Sequence, residues 1–131
     1  MNSIDTNLQP ERTTESAHPL IGSDRVEGTN VYRPNGDKIG HIERIMIDKV
    51  SGKAAYAVMN FGGFLGLGQE SYPLPWSVLT YNPKLGGYQV DLTDEQLRGA
   101  PKYREGEEWD DGNRDRDALI YGYYGVPPYW L

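Results

Sequence analysis

The chain has no cysteine, two histidines, and no apolar run near the ~20 residues that a helix needs to cross a bilayer. The missing cysteine excludes disulfides and thiolate metal sites, and a stapled secreted scaffold with them. His18 and His41 have no converging ligands in sequence, so no histidine metal site is expected. Positive charge is also short: 13 Lys and Arg stand against 19 Asp and Glu, for a net charge of −6. Phosphate-backbone binding needs clustered cations, which disfavours direct nucleic-acid contact. The residues after Met1 are polar, with neither a basic nor an apolar segment of the signal-peptide kind. A cytoplasmic protein without a transmembrane segment is the expectation.

The 131 residues suit one domain with tails. Residues 1–19 are polar, carry Pro10 and Pro19, show no period, and read as a disordered arm. The ordered domain spans 20–101, and an acidic, aromatic extension spans 102–131. A domain of this size buries only ~60% of its chain's surface, so a dimer or a docked tail would help it.

Within the domain the pattern is β-rich. A first strand is expected over Arg25–Tyr32, followed by the turn Arg33-Pro-Asn-Gly36, in which Asn-Gly supplies positive φ. The second, Lys38–Asp48, breaks phase: a bulge near Glu43-Arg44 would bring Ile42, Ile45 and Ile47 to one side, with Met46 outward. The third, Ala54–Phe61, is apolar on both faces and must be central or covered twice. The fourth, about Glu70–Leu74, contains Pro73 and precedes Pro75, so it is an edge or ends there. Trp76–Leu79 reads as a short helical turn, and Thr80–Asn82 with Gly87–Asp91 as a hairpin. A helix then starts at Thr93, with Gln96 completing a capping box and Leu92 and Leu97 placed as a hydrophobic staple.

The extension differs in character. From Tyr103 onward there are seven acidic and three basic residues, a net of −4. Six of the chain's fifteen aromatics (Trp109, Tyr121, Tyr123, Tyr124, Tyr129 and Trp130) lie in its last 23 residues. Asn113–Tyr124 fits a helix with Leu119/Tyr123 and Ile120/Tyr124 at i,i+4, ended by Gly125, Pro127 and Pro128. Disordered tails are poor in aromatics, so these rings must be buried on the barrel itself, a sister subunit or a partner.

Several motifs together resemble one family: Asn35-Gly-Asp-Lys-Ile-Gly-His-Ile-Glu43, Ile47-Asp-Lys-Val-Ser-Gly52, Ala55-Tyr-Ala-Val58, Phe61-Gly-Gly-Phe-Leu-Gly66 and Pro73-Leu-Pro-Trp-Ser-Val-Leu79. These are similar to the PRC-barrel domain of the cytoplasmic part of the photosynthetic reaction centre H subunit, also found at the C-terminus of a ribosome-maturation factor. The resemblance covers about residues 20–101. It implies an all-β fold: a small six-stranded, mostly antiparallel barrel with a short capping helix, here carrying a partly helical aromatic extension. It implies a bacterial, non-enzymatic adaptor that docks on a protein partner, often self-associates as a homodimer, and holds no cofactor. A supporting role in photosynthetic electron transfer, at the periphery of a membrane complex, or in a stress-related assembly would follow from it. Ribosome maturation and small-ligand binding are the alternatives. The chain departs from the H subunit in having no transmembrane helix, and from the ribosome factor in having no barrel domain ahead of this one.

No catalytic, cofactor or metal residue is assigned. Asp111, Asn113, Asp115 and Asp117 weakly resemble a calcium loop, but Arg116 and Gly122 occupy the required glycine and glutamate positions. Asp48 and Asp24 read as turn-forming and capping residues, and Ser77 has no nucleophile elbow. The candidate protein-interaction residues are Phe64, Leu65, Leu67, Trp76, Tyr121, Tyr123, Tyr124, Tyr129 and Trp130. Two readings stay open for Phe64, Leu65 and Leu67 in the glycine-rich loop: an exposed contact patch, or a lid folded back on the barrel. Trp76 is either an interface anchor or a plug of the barrel end.

Overall fold

The computed structural model describes residues 19–62, 69–102 and 114–131. Its elements are α1 (Ser23–Val26), β1 (Asn30–Tyr32), β2 (Lys38–Ile47), β3 (Ala54–Gly62), β4 (Gln69–Pro75), a 3-10 turn (Trp76–Val78), β5 (Thr80–Asn82), β6 (Gly87–Gln89), α2 (Asp94–Arg98) and α3 (Arg114–Tyr124). The six strands form one sheet in the order β4-β3-β2-β1-β6-β5, with every pairing antiparallel except β1 against β6. Among the described residues, hydrogen bonds do not close it into a cylinder. It nevertheless curls round one interior, because Leu74 of β4 joins Ile42 of β2, Val31 of β1 and Tyr88 of β6 in a single apolar cluster. The proline-bearing β4 is an edge, as its two missing N–H donors require.

The first strand is shorter than the alternation indicates. Ser23–Val26 turns as a helix, and Gly28 at φ +83° breaks the extended run that was expected from Arg25. The Gly28 N–H then donates to the Ile42 carbonyl, and Val26 enters the core from the helical turn. The β2 bulge lies where the phase slip requires it: pairing with β3 skips a residue between Ile42 and Arg44. Ile42 and Ile45 therefore share the interior cluster. Met46 faces the opposite cluster, whereas Ile47 is half-exposed, beyond a second register shift between Met46 and Ile47.

β2 is packed tightly between its neighbours. A Cβ built on Gly40 would sit 2.1 Å from the Asn60 carbonyl oxygen of β3, so only glycine permits this spacing. After β6 the expected capping box is present: Gln96 N–H donates to Thr93 Oγ1 and Thr93 N–H to Gln96 Oε1. Leu97 is fully buried, with Leu92 packed against the same cluster. Arg33 ties this helix to the turn after β1 by pairing with Asp94 and donating to the Leu92 carbonyl.

β3 is buried along both faces. Ala57 and Met59 enter the interior cluster, while Ala55 and Tyr56 enter a second cluster with Ile120 and Tyr121 of α3. The extension thus packs on its own barrel, α3 lying beside β4. A Gly40→Ala variant should lose about 1–3 kcal/mol of stability, because the new methyl must push β2 from β3. A thermal melt within a degree of the parent would contradict this.

Candidate docking site at the barrel end

The turn joining β2 to β3 is built on Asp48. Its Oδ1 accepts the N–H groups of Val50 and Ser51, and Gly52 at φ +77° completes the reversal. The Asp48 Oδ2 accepts a hydrogen bond from the Tyr129 hydroxyl, so the same carboxylate that forms the turn anchors the chain's last residues. Lys53 Nζ adds a contact of 3.5 Å to the Tyr129 carbonyl. The Arg114 guanidinium stacks over Trp130 with its carbon 4.2 Å from the ring centroid, and its Nη1 reaches the Tyr129 hydroxyl at 3.4 Å.

Deeper in, the Tyr121 hydroxyl donates to the Ala55 carbonyl at 2.7 Å, which makes an otherwise buried polar tip affordable. The Tyr121 ring meets Tyr56 at a centroid distance of 5.2 Å and Trp130 edge-on at 5.7 Å. Burial, and then the nearby Asp117 carboxylate, push the Tyr56 phenol well above its usual range; burial does the same to Tyr121 and Tyr124. These phenols remain neutral donors or apolar bodies at any ordinary pH.

The structure distributes the expected interaction residues widely. Phe64, Leu65 and Leu67 lie outside the described residues. Trp76 is half-buried, its ring edge-on to Tyr88 at 5.5 Å and packed against the interior cluster. Tyr121 is buried between α3 and β3, and Tyr124 packs against both apolar clusters. Tyr123 is 43% exposed on the other side of α3, where its hydroxyl donates to the Gln96 carbonyl of α2. Tyr129 and Trp130 stay partly exposed beside the Asp48 turn.

Sequence reasoning left out the exposed apolar residues at this end. Val50 at the turn tip is 97% exposed, Leu131 85% and Ile47 51%. The Asp48–Tyr129 and Lys53–Tyr129 contacts bring the segments bearing them together. The sequence signal for Val50 was an apolar residue at the centre of a polar turn, Lys49-Val-Ser-Gly52, whereas the strand phase had placed Ile47 with Ile42 and Ile45.

A cleft of about 360 Å³ opens beside this anchor, between the start of β3, the turn after β4, and the extension. Lys53, Trp76, Ser77, Tyr121, Pro127 and Tyr129 line it. Trp76 and the tail are thereby joined in one concavity, which neither segment forms alone. Among the described residues, no group of His, Cys, Asp or Glu is placed to hold a metal ion, and no helix is long and apolar enough to cross a membrane.

The anchor carries a pH dependence. The Tyr129 hydroxyl, then the Ser51 and Val50 N–H groups, hold the Asp48 carboxyl down at about 2. A depressed folded value stabilises the fold above the unfolded carboxyl's ~3.9, and that share is lost as pH falls through the folded value. Thermal melts should therefore show Asp48→Asn removing part of the parent's stability loss between about pH 4 and 2. Identical acid profiles for the two proteins would contradict the anchor.

No curated protein matches the chain. The family model of the PRC-barrel domain matches residues 19–97, which take in α1, all six strands and α2 up to Leu97 but not α3. Sequence motifs, curled mixed sheet and family match agree, and this chain belongs to the PRC-barrel family.

Proposed function

We propose that this chain is a non-enzymatic docking barrel that binds another protein through the end where the Asp48 turn meets residues 129–131. The observation that carries the reading is the exposed apolar set at that end. Val50 and Leu131 are left almost wholly in water, and Ile47 half so, around a fixed hydrogen-bonded anchor. Isolated surface apolar residues need no explanation, but several on segments hydrogen-bonded together beside a concave cleft mark an interaction surface.

The barrel's interior supports the same reading. Val31, Ile42, Met59, Leu74, Val90 and Leu97 fill it at 1% exposure or less, which gives a packed core in place of a ligand chamber. Membership of a family of interaction barrels points the same way. A cytoplasmic location, self-association, and a supporting role beside a membrane-bound electron-transfer complex of the reaction-centre kind extend the proposal. They rest on the family resemblance.

The test is capture of a partner from the native cell by the parent chain and by the double variant Val50→Ser, Leu131→Ser. Both substitutions are at exposed positions, so the melt should stay within ~0.5 kcal/mol of the parent. The reading predicts a protein held stoichiometrically by the parent and at least about tenfold less by the variant, as expected when central apolar contacts are lost. Equal capture by both would remove this surface from the account.

A further inference from the structure

The cleft at the barrel end has an unbalanced set of polar groups. Its walls are apolar for the most part: Ala54, Ala55, Pro127 and the rings of Trp76, Tyr121 and Tyr129. The two phenol hydroxyls are already committed, Tyr121 to the Ala55 carbonyl and Tyr129 to Asp48. Asp48 is committed as well, since both its oxygens accept hydrogen bonds from the turn and the tail. What stays open among the lining residues is the Lys53 ammonium, whose hydrogen bond among the described residues is the 3.5 Å contact to the Tyr129 carbonyl, with the exposed Ser77 hydroxyl. The cleft therefore offers one cation and one neutral hydroxyl between aromatic walls, and no carboxylate is among its lining residues.

We propose that this cleft receives an acidic side chain together with its apolar neighbour from a peptide segment of the partner protein. The inference rests on the docking reading and deepens it by naming the chemistry of the partner. One carboxylate matches one ammonium, and the Ser77 hydroxyl can donate to a remaining lone pair. A cationic side chain would meet Lys53 with like charge. A nucleic-acid backbone is a poor match, because a single lysine on a chain of net charge −6 offers no run of cations for successive phosphates. A volume of about 360 Å³ lies at the small end of ligand sites, room for a pair of side chains and no more. The aromatic walls supply the contact for the apolar neighbour. The chain's overall negative charge opposes an acidic partner at long range, but screening limits that repulsion beyond about 8 Å at physiological salt. Recognition at the cleft is consequently short-ranged and modest in strength.

The experiment uses the full-length chain and three blocked tetrapeptides, acetyl-Ala-Glu-Phe-Ala-amide and its Gln and Lys counterparts at the second position. Binding is read by nuclear magnetic resonance from the Trp76 indole N–H, assigned by its loss in Trp76→Phe, and from the Ala54 and Ala55 amides. The Glu peptide should shift these signals saturably in the millimolar range, about fivefold more tightly than the Gln peptide, with the Lys peptide weakest. Lys53→Gln should erase the Glu-over-Gln preference while leaving the melting temperature unchanged, because Lys53 is exposed. Equal binding of the Glu and Gln peptides, a preference that survives Lys53→Gln, or no shift with any peptide would overturn the assignment. Failure here is separable from failure of the docking reading. If the Val50, Leu131 double variant loses the native partner while Lys53→Gln keeps it, the surface stands and the acidic partner falls. If the peptides discriminate but the double variant captures normally, the cleft stands and the apolar docking end falls.

Discussion

A β-strand that is apolar on both faces cannot sit at the surface of a one-layer barrel, and β3 is such a strand. Ala57 and Met59 fill the interior, and Ala55 and Tyr56 must be covered from outside. A small barrel has no second layer of its own to do this. Here the extension beyond the family domain provides it: Ile120 and Tyr121 of α3 bury the outer face, and the Tyr121 hydroxyl takes the Ala55 carbonyl as its partner. The rest of the molecule's surface chemistry follows from that choice. Once α3 lies along β4, residues 126–131 are directed to the β2–β3 turn, where Asp48 anchors Tyr129.

The consequence for function is a redistribution of aromatic rings. A tail this rich in tyrosine and tryptophan resembles a ready-made binding element, yet much of it is used inside the chain. Tyr121 is buried, and Tyr124 bridges the two clusters. What reaches the surface is Tyr123 on α3, the last turn of chain and the loop it is tied to. The exposed residues Val50 and Leu131 thus lie on two segments that the Tyr129 contacts tie together. The cleft beside them likewise has one wall from the barrel and one from the extension.

Much of this architecture was legible in the residues, for local reasons. The β2 bulge followed from the phase of Ile42 against Ile45, and the α2 start from the Thr93–Gln96 box. The α3 limits followed from the i,i+4 pairs and Gly125. The first strand was misjudged at its start because Arg25 to Tyr32 alternates acceptably as a strand. Only the positive φ at Gly28 and the insertion of Val26 from a helical turn shorten it. The destination of the tail was half legible: the two-faced β3 required a cover, and the aromatic extension required a surface, but no local pattern joined the two. The cleft was not legible at all, since Lys53, Ser77 and Pro127 are brought together only by tertiary packing.

The central claim is that the extension is the outer layer of this barrel, packed on its own chain. Deleting residues 103–131 and measuring both the melting temperature and the mass in solution tests it most directly. With Tyr56 and Ala55 stripped of cover, the account predicts a barrel that melts markedly lower and associates through its bared β3 face. A truncated chain that stays monomeric and melts where the full chain does would contradict it.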